Sequence, residues 1–326
     1  MIKRSGKVSR YMAAVVLFLL AGCGGSDSDD IGNLISGRPQ GPYELSLSVT
    51  PHHPQPNELV MMEFQLTFRQ SGKPVIDLQT AHERLIHNFI TDLEFSTFAH
   101  IHHEDYYPVT AADRAQDRLR FPFRFPHAGQ YRVVSEFAHR NRSWTKHFDV
   151  KVGDSGKPGE ASPQLKPALE DTVGEFSALL EIPHAGLNAG FETPLVFSVT
   201  RNGIPVTDLA LYLGTEMHGA IWRADGKHFG HLHSYTKKVA ALLELAHQRD
   251  SDASKHGALL QEMMVQLMCL QAELEFPGPS IPMRYVFSES GRYVIFVQVA
   301  PRGTPVEFKF VVDVGAAISN SQTMLP

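Results

Sequence analysis

The stretch from Gly203 to His233 is a diverged second copy of the stretch from Gly72 to His102, and this repeat constrains the fold more than any other feature of the chain. Gly72, Pro74, Val75, Asp77, Leu78, His87, Ile90, Phe98, His100 and His102 reappear as Gly203, Pro205, Val206, Asp208, Leu209, His218, Ile221, Phe229, His231 and His233, always 131 residues on. A chain of 326 residues has room for two ordinary domains, and the repeat says that there are two. Three of the shared positions are histidines.

Asp225-Gly226 reads as the two-residue type I′ turn of a hairpin between alternating strands. That turn sets His218 opposite His233 and Ala220 opposite His231; a register shifted by two sets His218 opposite His231. Both put His218, His231 and His233 on one face, because cross-strand partners and i, i+2 neighbours share a side of the pleat. Directly opposed Cβ atoms lie about 5 Å apart and diagonal ones about 7–8 Å, so three imidazoles can converge on one ion. The other face, with Met217, Ile221 and Leu232 in the second copy and Ile86, Ile90, Ala99 and Ile101 in the first, reads as core. Burying it fixes the register, since a one-residue slip would turn the apolar set to solvent.

The start of the chain has a basic segment (Lys3, Arg4, Lys7, Arg10) and then a short apolar run from about Met12 to Leu20. The run is too short for a helix across about 30 Å of hydrocarbon and reads as a signal peptide, residues 1–22. It ends in Leu20-Ala21-Gly22-Cys23, which resembles the lipobox of bacterial lipoproteins. That resemblance implies cleavage before Cys23, lipidation of Cys23 and a lipid-anchored place in the bacterial envelope, facing the periplasm, with the outer membrane favoured. The formal net charge is −5; residues 1–22 carry four positive charges and no acid, so the remainder stands at about −9. Nucleic-acid binding calls for a basic patch that this composition does not supply. With Cys23 lipidated, Cys269 has no disulfide partner, and each domain depends on a packed core.

Residues 23–42 read as a flexible tether. From Tyr43 to Val152, about seven short alternating segments with regular turn signals give the pattern of an immunoglobulin-like β-sandwich. Residues 153–171, rich in Pro, Gly and Ser, read as a linker, and a second sandwich follows over 172–316, with a tail over 317–326. Beyond the motif the spacing changes. Phe125, Gly129, Tyr131 and Phe148 match Phe287, Gly291, Tyr293 and Phe310 at 162, so the second copy holds 31 extra residues. This insertion, about 234–276, reads as a helical hairpin with one stripe of Val239, Leu242, Leu243 and Ala246 and another of Leu260, Met263, Leu267, Leu270 and Leu274. Met263, Met264, Met268 and Cys269 are soft donors, but core filling is the simpler reading. The fold class is therefore mainly β: two tandem immunoglobulin-like sandwiches, the second with a helical insertion that shields the second histidine set or receives an envelope protein partner.

The second copy, through Pro205-Val206-Thr207-Asp208-Leu209, Tyr212-Leu213-Gly214, His218 and His231-Leu232-His233, resembles exported bacterial β-sandwich domains of the YtkA-like or FixH-like kind. The resemblance covers about thirty residues per domain and implies heavy-metal handling, copper above all. The first copy departs from it at Ala81-His82-Glu83. Independently of the resemblance, neutral imidazole is a ligand for Cu, Zn, Ni or Fe. A lone histidine more often packs against neighbouring aromatics, here Trp222 and Phe229 or Phe89 and Phe98; the same three-histidine pattern occurring twice favours a metal. The expected ligands are His87, His100 and His102 in the first repeat and His218, His231 and His233 in the second, one copper or zinc ion each. His82, His103 and His228 are expected to stay outside these sets, and Asp77 and Asp208 to hold turns by Asx hydrogen bonds. No enzyme motif such as Gly-x-Ser-x-Gly or His-Glu-x-x-His occurs. The chain reads as a metal-sequestering or metal-relaying protein rather than an enzyme. The rival is an interaction lipoprotein that uses the helical insertion and no metal.

Overall fold

The computed structural model describes residues 38–39, 41–116, 118–154, 165–249, 262–270 and 272–317. The leader, Cys23, most of the tether, part of the linker, residues 250–261 and most of the tail lie outside these.

In the first half, alternation turns into seven strands: β1 (Tyr43–Thr50), β2 (Leu59–Phe68), β3 (Ile86–Asp92), β4 (Phe98–Ile101), β5 (Arg118–Arg124), β6 (Gly129–His139) and β7 (Arg142–Val152). One sheet has the order β1-β2-β5 and the other β7-β6-β3-β4. Arg38–Pro39 adds a short parallel edge to β7, so the end of the expected tether is paired rather than free. The second half repeats the plan with β8 (Phe176–Glu181), β9 (Glu192–Arg201), β10 (His218–Arg223), β11 (Phe229–His233), β12 (Ser280–Val286), β13 (Gly291–Pro301) and β14 (Val306–Gly315). Here β8-β9-β12 faces β14-β13-β10-β11. Each half packs its two sheets over a core of its own: Phe64, Ile90, Phe121 and Tyr131 in the first, Phe197, Ile221, Phe287 and Phe310 in the second. Tyr131 and Tyr293, at matched positions, each donate from Oη to a carbonyl four residues upstream, His127 at 3.0 Å and Glu289 at 2.8 Å.

The histidine hairpin has the expected register. His218 pairs with His233 and Ala220 with His231; in the first half Phe89 pairs with His100. The turn differs. Gly226 N–H donates to the Arg223 carbonyl at 2.7 Å, and of Asp225 and Gly226 only the glycine has positive φ, at 71°. This is a type I turn closed by a left-handed residue, which gives the same pairing as the expected type I′ turn. In the first half that left-handed place is held by Phe95, at φ 56°, a conformation unfavourable for a bulky residue. Its ring is fully buried, and that burial offsets the strain.

Met217, Ile221 and Leu232, like Ile86, Ile90 and Ile101, face the cores as expected. The opposite face is not open. Phe89, Phe95 and Val134 of the first half join Ala220, Trp222, Phe229, Val294 and Phe296 of the second in one buried cluster, with Phe98 stacked on Phe296 at 4.2 Å. The two four-stranded sheets therefore meet face to face, and the aromatics flanking the histidines are the seam.

Within the insertion, α1 (Lys237–Arg249) and helical residues 262–268 are described. Of the expected second stripe, Leu260 lies outside the described residues, Met263 and Leu267 are half-buried, Leu270 and Leu274 are exposed, and the fully buried residue is Val265. Val265 and Met268 pack on Ala81 and Ala138 of the first half, and the Met268 carbonyl accepts from His82 N–H at 2.9 Å. Leu270 and Leu274 lie beyond helical residues 262–268, and the surface that selects the buried face belongs to the other half of the chain. Among the described residues no helix is long and apolar enough to cross a membrane.

Candidate metal centre

In the first repeat, β3 presents His87 and β4 leads into His100 and His102. His87 Nδ1, His100 Nε2 and His102 Nε2 form a triangle with sides of 3.1, 3.0 and 3.0 Å. The far nitrogen of each ring is held by an acceptor. His87 Nε2 lies 3.0 Å from the Ala81 carbonyl, His102 Nδ1 lies 2.9 Å from Asp105 Oδ2, and His100 Nδ1 lies 3.1 Å from Gln298 Oε1. The Gln298 amide NH₂ donates to Glu307 at 3.0 Å, which turns its oxygen toward His100. A neutral imidazole has one N–H, and in each ring the acceptor claims it. Three lone pairs therefore point at one another with no proton between them. A cation closes such a triangle, and acceptors behind the ligating rings are the usual support of metal-bound histidine.

The second repeat follows the same plan with different support. His218 Nδ1 and His231 Nε2 are 3.1 Å apart; His218 Nε2 lies 3.2 Å from the Leu213 carbonyl, and His231 Nδ1 lies 3.0 Å from Glu136 Oε2. The His233 ring lies 4.9 Å from that of His218 and 4.3 Å from that of His231, between centroids. His233 Nε2 is buried without a hydrogen-bond partner among the described residues.

His82, expected to stay outside, is part of the cluster. Its ring stacks on His233 at 3.9 Å, its Nε2 is likewise buried and unpartnered, and its ring is hydrogen-bonded to the backbone of Gly214. It sits at φ 45° in the turn Ala81–Arg84, which matches the turn Tyr212–Thr215, where Leu213 takes φ 52°. The departure of the first copy at Ala81-His82-Glu83 was the signal in the sequence, but only the meeting of the two halves gives it meaning. Glu136 and Gln298 were missed too. They sit on β6 and β13 at positions 162 apart, and each supports a histidine of the other half.

His103 stays outside the cluster, with Nδ1 on the backbone of Arg120 at 3.0 Å, and His228 pairs with Glu289 at 3.1 Å. Asp77 lies 2.8 Å from His139 Nε2 and Asp208 pairs with Arg302 at 2.6 Å, so both carboxylates bond to side chains from other strands or turns. Cys269 is an exposed free thiol.

Burial holds the cluster neutral. It pushes His87 down to about 4, against a hydrogen bond to the Ala81 carbonyl that raises it, and His82 down to about 3; it also pushes His100, His102, His218, His231 and His233 well below 6.5, and for His82 and these five crowding by neighbouring histidines is the next cause. Burial raises the Glu136 carboxyl to about 7, against a hydrogen bond from Ser143 that lowers it. At neutral pH the rings are neutral bases rather than cations.

Fold and site together define a class: a mainly β chain of sandwich-like sheets with a histidine cluster buried where its repeats meet. The chain belongs to the family described as "Domain of unknown function (DUF8832)", whose model matches it twice, over residues 40–154 and 172–316. No curated protein matches the sequence. Solved structures similar to it include trypsin-activated α-2-macroglobulin from Escherichia coli, 11% identical with a TM-score of 0.24, over 84% of this chain and 18% of that one. The Escherichia coli adhesin FdeC is 11% identical with a TM-score of 0.23, over 86% and 65%. The Yersinia pseudotuberculosis adhesin InvE is 9% identical with a TM-score of 0.22, over 82% and 58%. The chain spans less than two thirds of each, and likeness of this degree carries no functional weight.

Proposed function

We propose that this protein is a transition-metal-binding protein of the bacterial envelope that sequesters or relays copper, or zinc, without catalysing a reaction. The observation that carries the reading is the triangle formed by His87 Nδ1, His100 Nε2 and His102 Nε2, with an acceptor at the far nitrogen of each ring. His218, His231 and His233 form the second set. Neutral imidazoles favour borderline ions over Mg²⁺ or Ca²⁺, and copper is preferred over zinc on the resemblance to YtkA-like and FixH-like domains. The sheet orders and the two matched tyrosine corners support immunoglobulin-like sandwiches.

Protein stripped with chelator and titrated with Cu(II) or Zn(II) should bind about two ions, one per histidine set. Replacing His231 and His233 with Ala should remove about one of them. Less than half an equivalent bound by the intact protein would leave the interaction-lipoprotein alternative, in which the helical insertion meets a protein partner without metal.

The lipid anchor rests on Leu20-Ala21-Gly22-Cys23. In cells fed labelled fatty acid, Cys23→Ser is expected to accumulate as an unprocessed, unlabelled precursor, and label on that variant would refute the anchor.

A further inference from the structure

The two histidine sets do not lie apart in their own repeats. The His231 ligand atom falls within 4.8 Å of those of His87 and His100, and ring centroids across the seam are 5.1 Å apart for His100 and His218 and 5.4 Å for His87 and His231. The supporting acceptors are exchanged: Gln298 of the second repeat holds His100 of the first, and Glu136 of the first holds His231 of the second. Gln298 matches Glu136, and His231 matches His100, so the two contacts are related by an approximate two-fold axis through the seam. Neither set keeps its support if the repeats separate. His82 crosses the seam in the same way. Its ligand atom lies within 4.8 Å of those of His218 and His233, and the buried Nε2 atoms of His82 and His233 have no hydrogen-bond partner among the described residues.

We propose that the two sets are halves of one dinuclear transition-metal centre at the seam. One ion is held by His87, His100 and His102; the other is held by His218, His231 and His233, with His82 of the first repeat as its fourth ligand. This rests on the metal-binding reading above and adds that the ions are neighbours. With each ion about 2 Å from its nitrogens, ligand atoms this close across the seam put the ions no more than about 9 Å apart, with imidazole rings between them. The centre is unsymmetrical. At the turn position matching His82 the second repeat has Leu213, so the first ion keeps three protein nitrogens and an open position while the second is closed by four. Open positions exchange and take external ligands, and closed four-coordinate sites hold structure.

The test uses the whole protein, stripped and then loaded with two equivalents of Cu(II). Electron paramagnetic resonance should show a coupled pair, as a half-field transition or a spin count well below two. Two bound ions with the full spectrum of isolated Cu(II) would overturn the dinuclear centre while leaving metal binding in place; failure to bind would remove both. The companion variant is His82→Leu, chosen because Leu213 shows that leucine occupies this left-handed turn position. It should fold as the parent does, bind one ion as before, hold the other at least tenfold more weakly and lose the coupled signal. Affinities for both ions within twofold of the parent would overturn the role of His82.

Discussion

Stripped of metal, the protein is expected to come apart at its seam as the pH falls from about 6.5 toward 4. Seven buried histidines have folded values below 6.5, about 4 for His87 and about 3 for His82. Between those values and 6.5 the unfolded or separated chain binds more protons than the folded one, so stability is full above about 6.5 and is lost as the pH drops. Each such group costs about 1.4 kcal/mol per pH unit in that window. Glu136 and Glu307 act in the other direction. Burial raises both to about 7, so between 4.5 and 7 the folded state holds the extra proton, and these two gain stability as the pH falls. The histidines outnumber these two carboxyls, so the net effect is a loss of stability as the pH falls. Small-angle scattering and near-ultraviolet circular dichroism across pH 7 to 4, in chelator, should show the seam open with Trp222 exposed near pH 5–6. A stripped protein still closed at pH 4 would contradict the neutral, buried cluster.

Metal should reverse this vulnerability. An ion that binds only the closed protein contributes about 4 kcal/mol at a free concentration 1,000 times its Kd, and two contribute about 8 kcal/mol. For repeats of this size that is a rise of roughly 15–30 °C in Tm, at about 2–4 °C per kcal/mol. Scanning calorimetry at pH 7.5 with and without Cu(II) or Zn(II) measures it, and chelator should return the transition to its starting point. A shift under about 3 °C at saturating metal would mean that the ions bind at the surface and leave the seam untouched.

Much of this was legible in the sequence because short-range chemistry decided it. The spacing of His218, His231 and His233 around Asp225-Gly226 is a local matter of turn and pleat, and the repeat confirmed the pattern from a second copy. The packing of Ile86, Ile90 and Ile101 was legible for the same reason, since period-two burial is written in consecutive residues. What was not legible is the meeting of the two repeats. Phe89, Phe98, Trp222 and Phe229 read as company for histidines on their own faces, and nothing local says that each aromatic face is covered by the other repeat. His82 read as a lone surface group for the same reason, since its partners His218 and His233 lie more than 130 residues away in the chain. The insertion illustrates the limit again. Helical periodicity located helical residues, but the surface that chose Val265 over Leu270 belongs to the first repeat.

The most direct test of the central claim is anomalous diffraction from crystals of metal-loaded protein, recorded on both sides of the absorption edge. One peak is expected about 2 Å from each of His87 Nδ1, His100 Nε2 and His102 Nε2, and a second beside His218, His231 and His233 across the seam. Loaded crystals with no peak at the triangle, and with its nitrogens hydrogen-bonded to water or to one another, would contradict it.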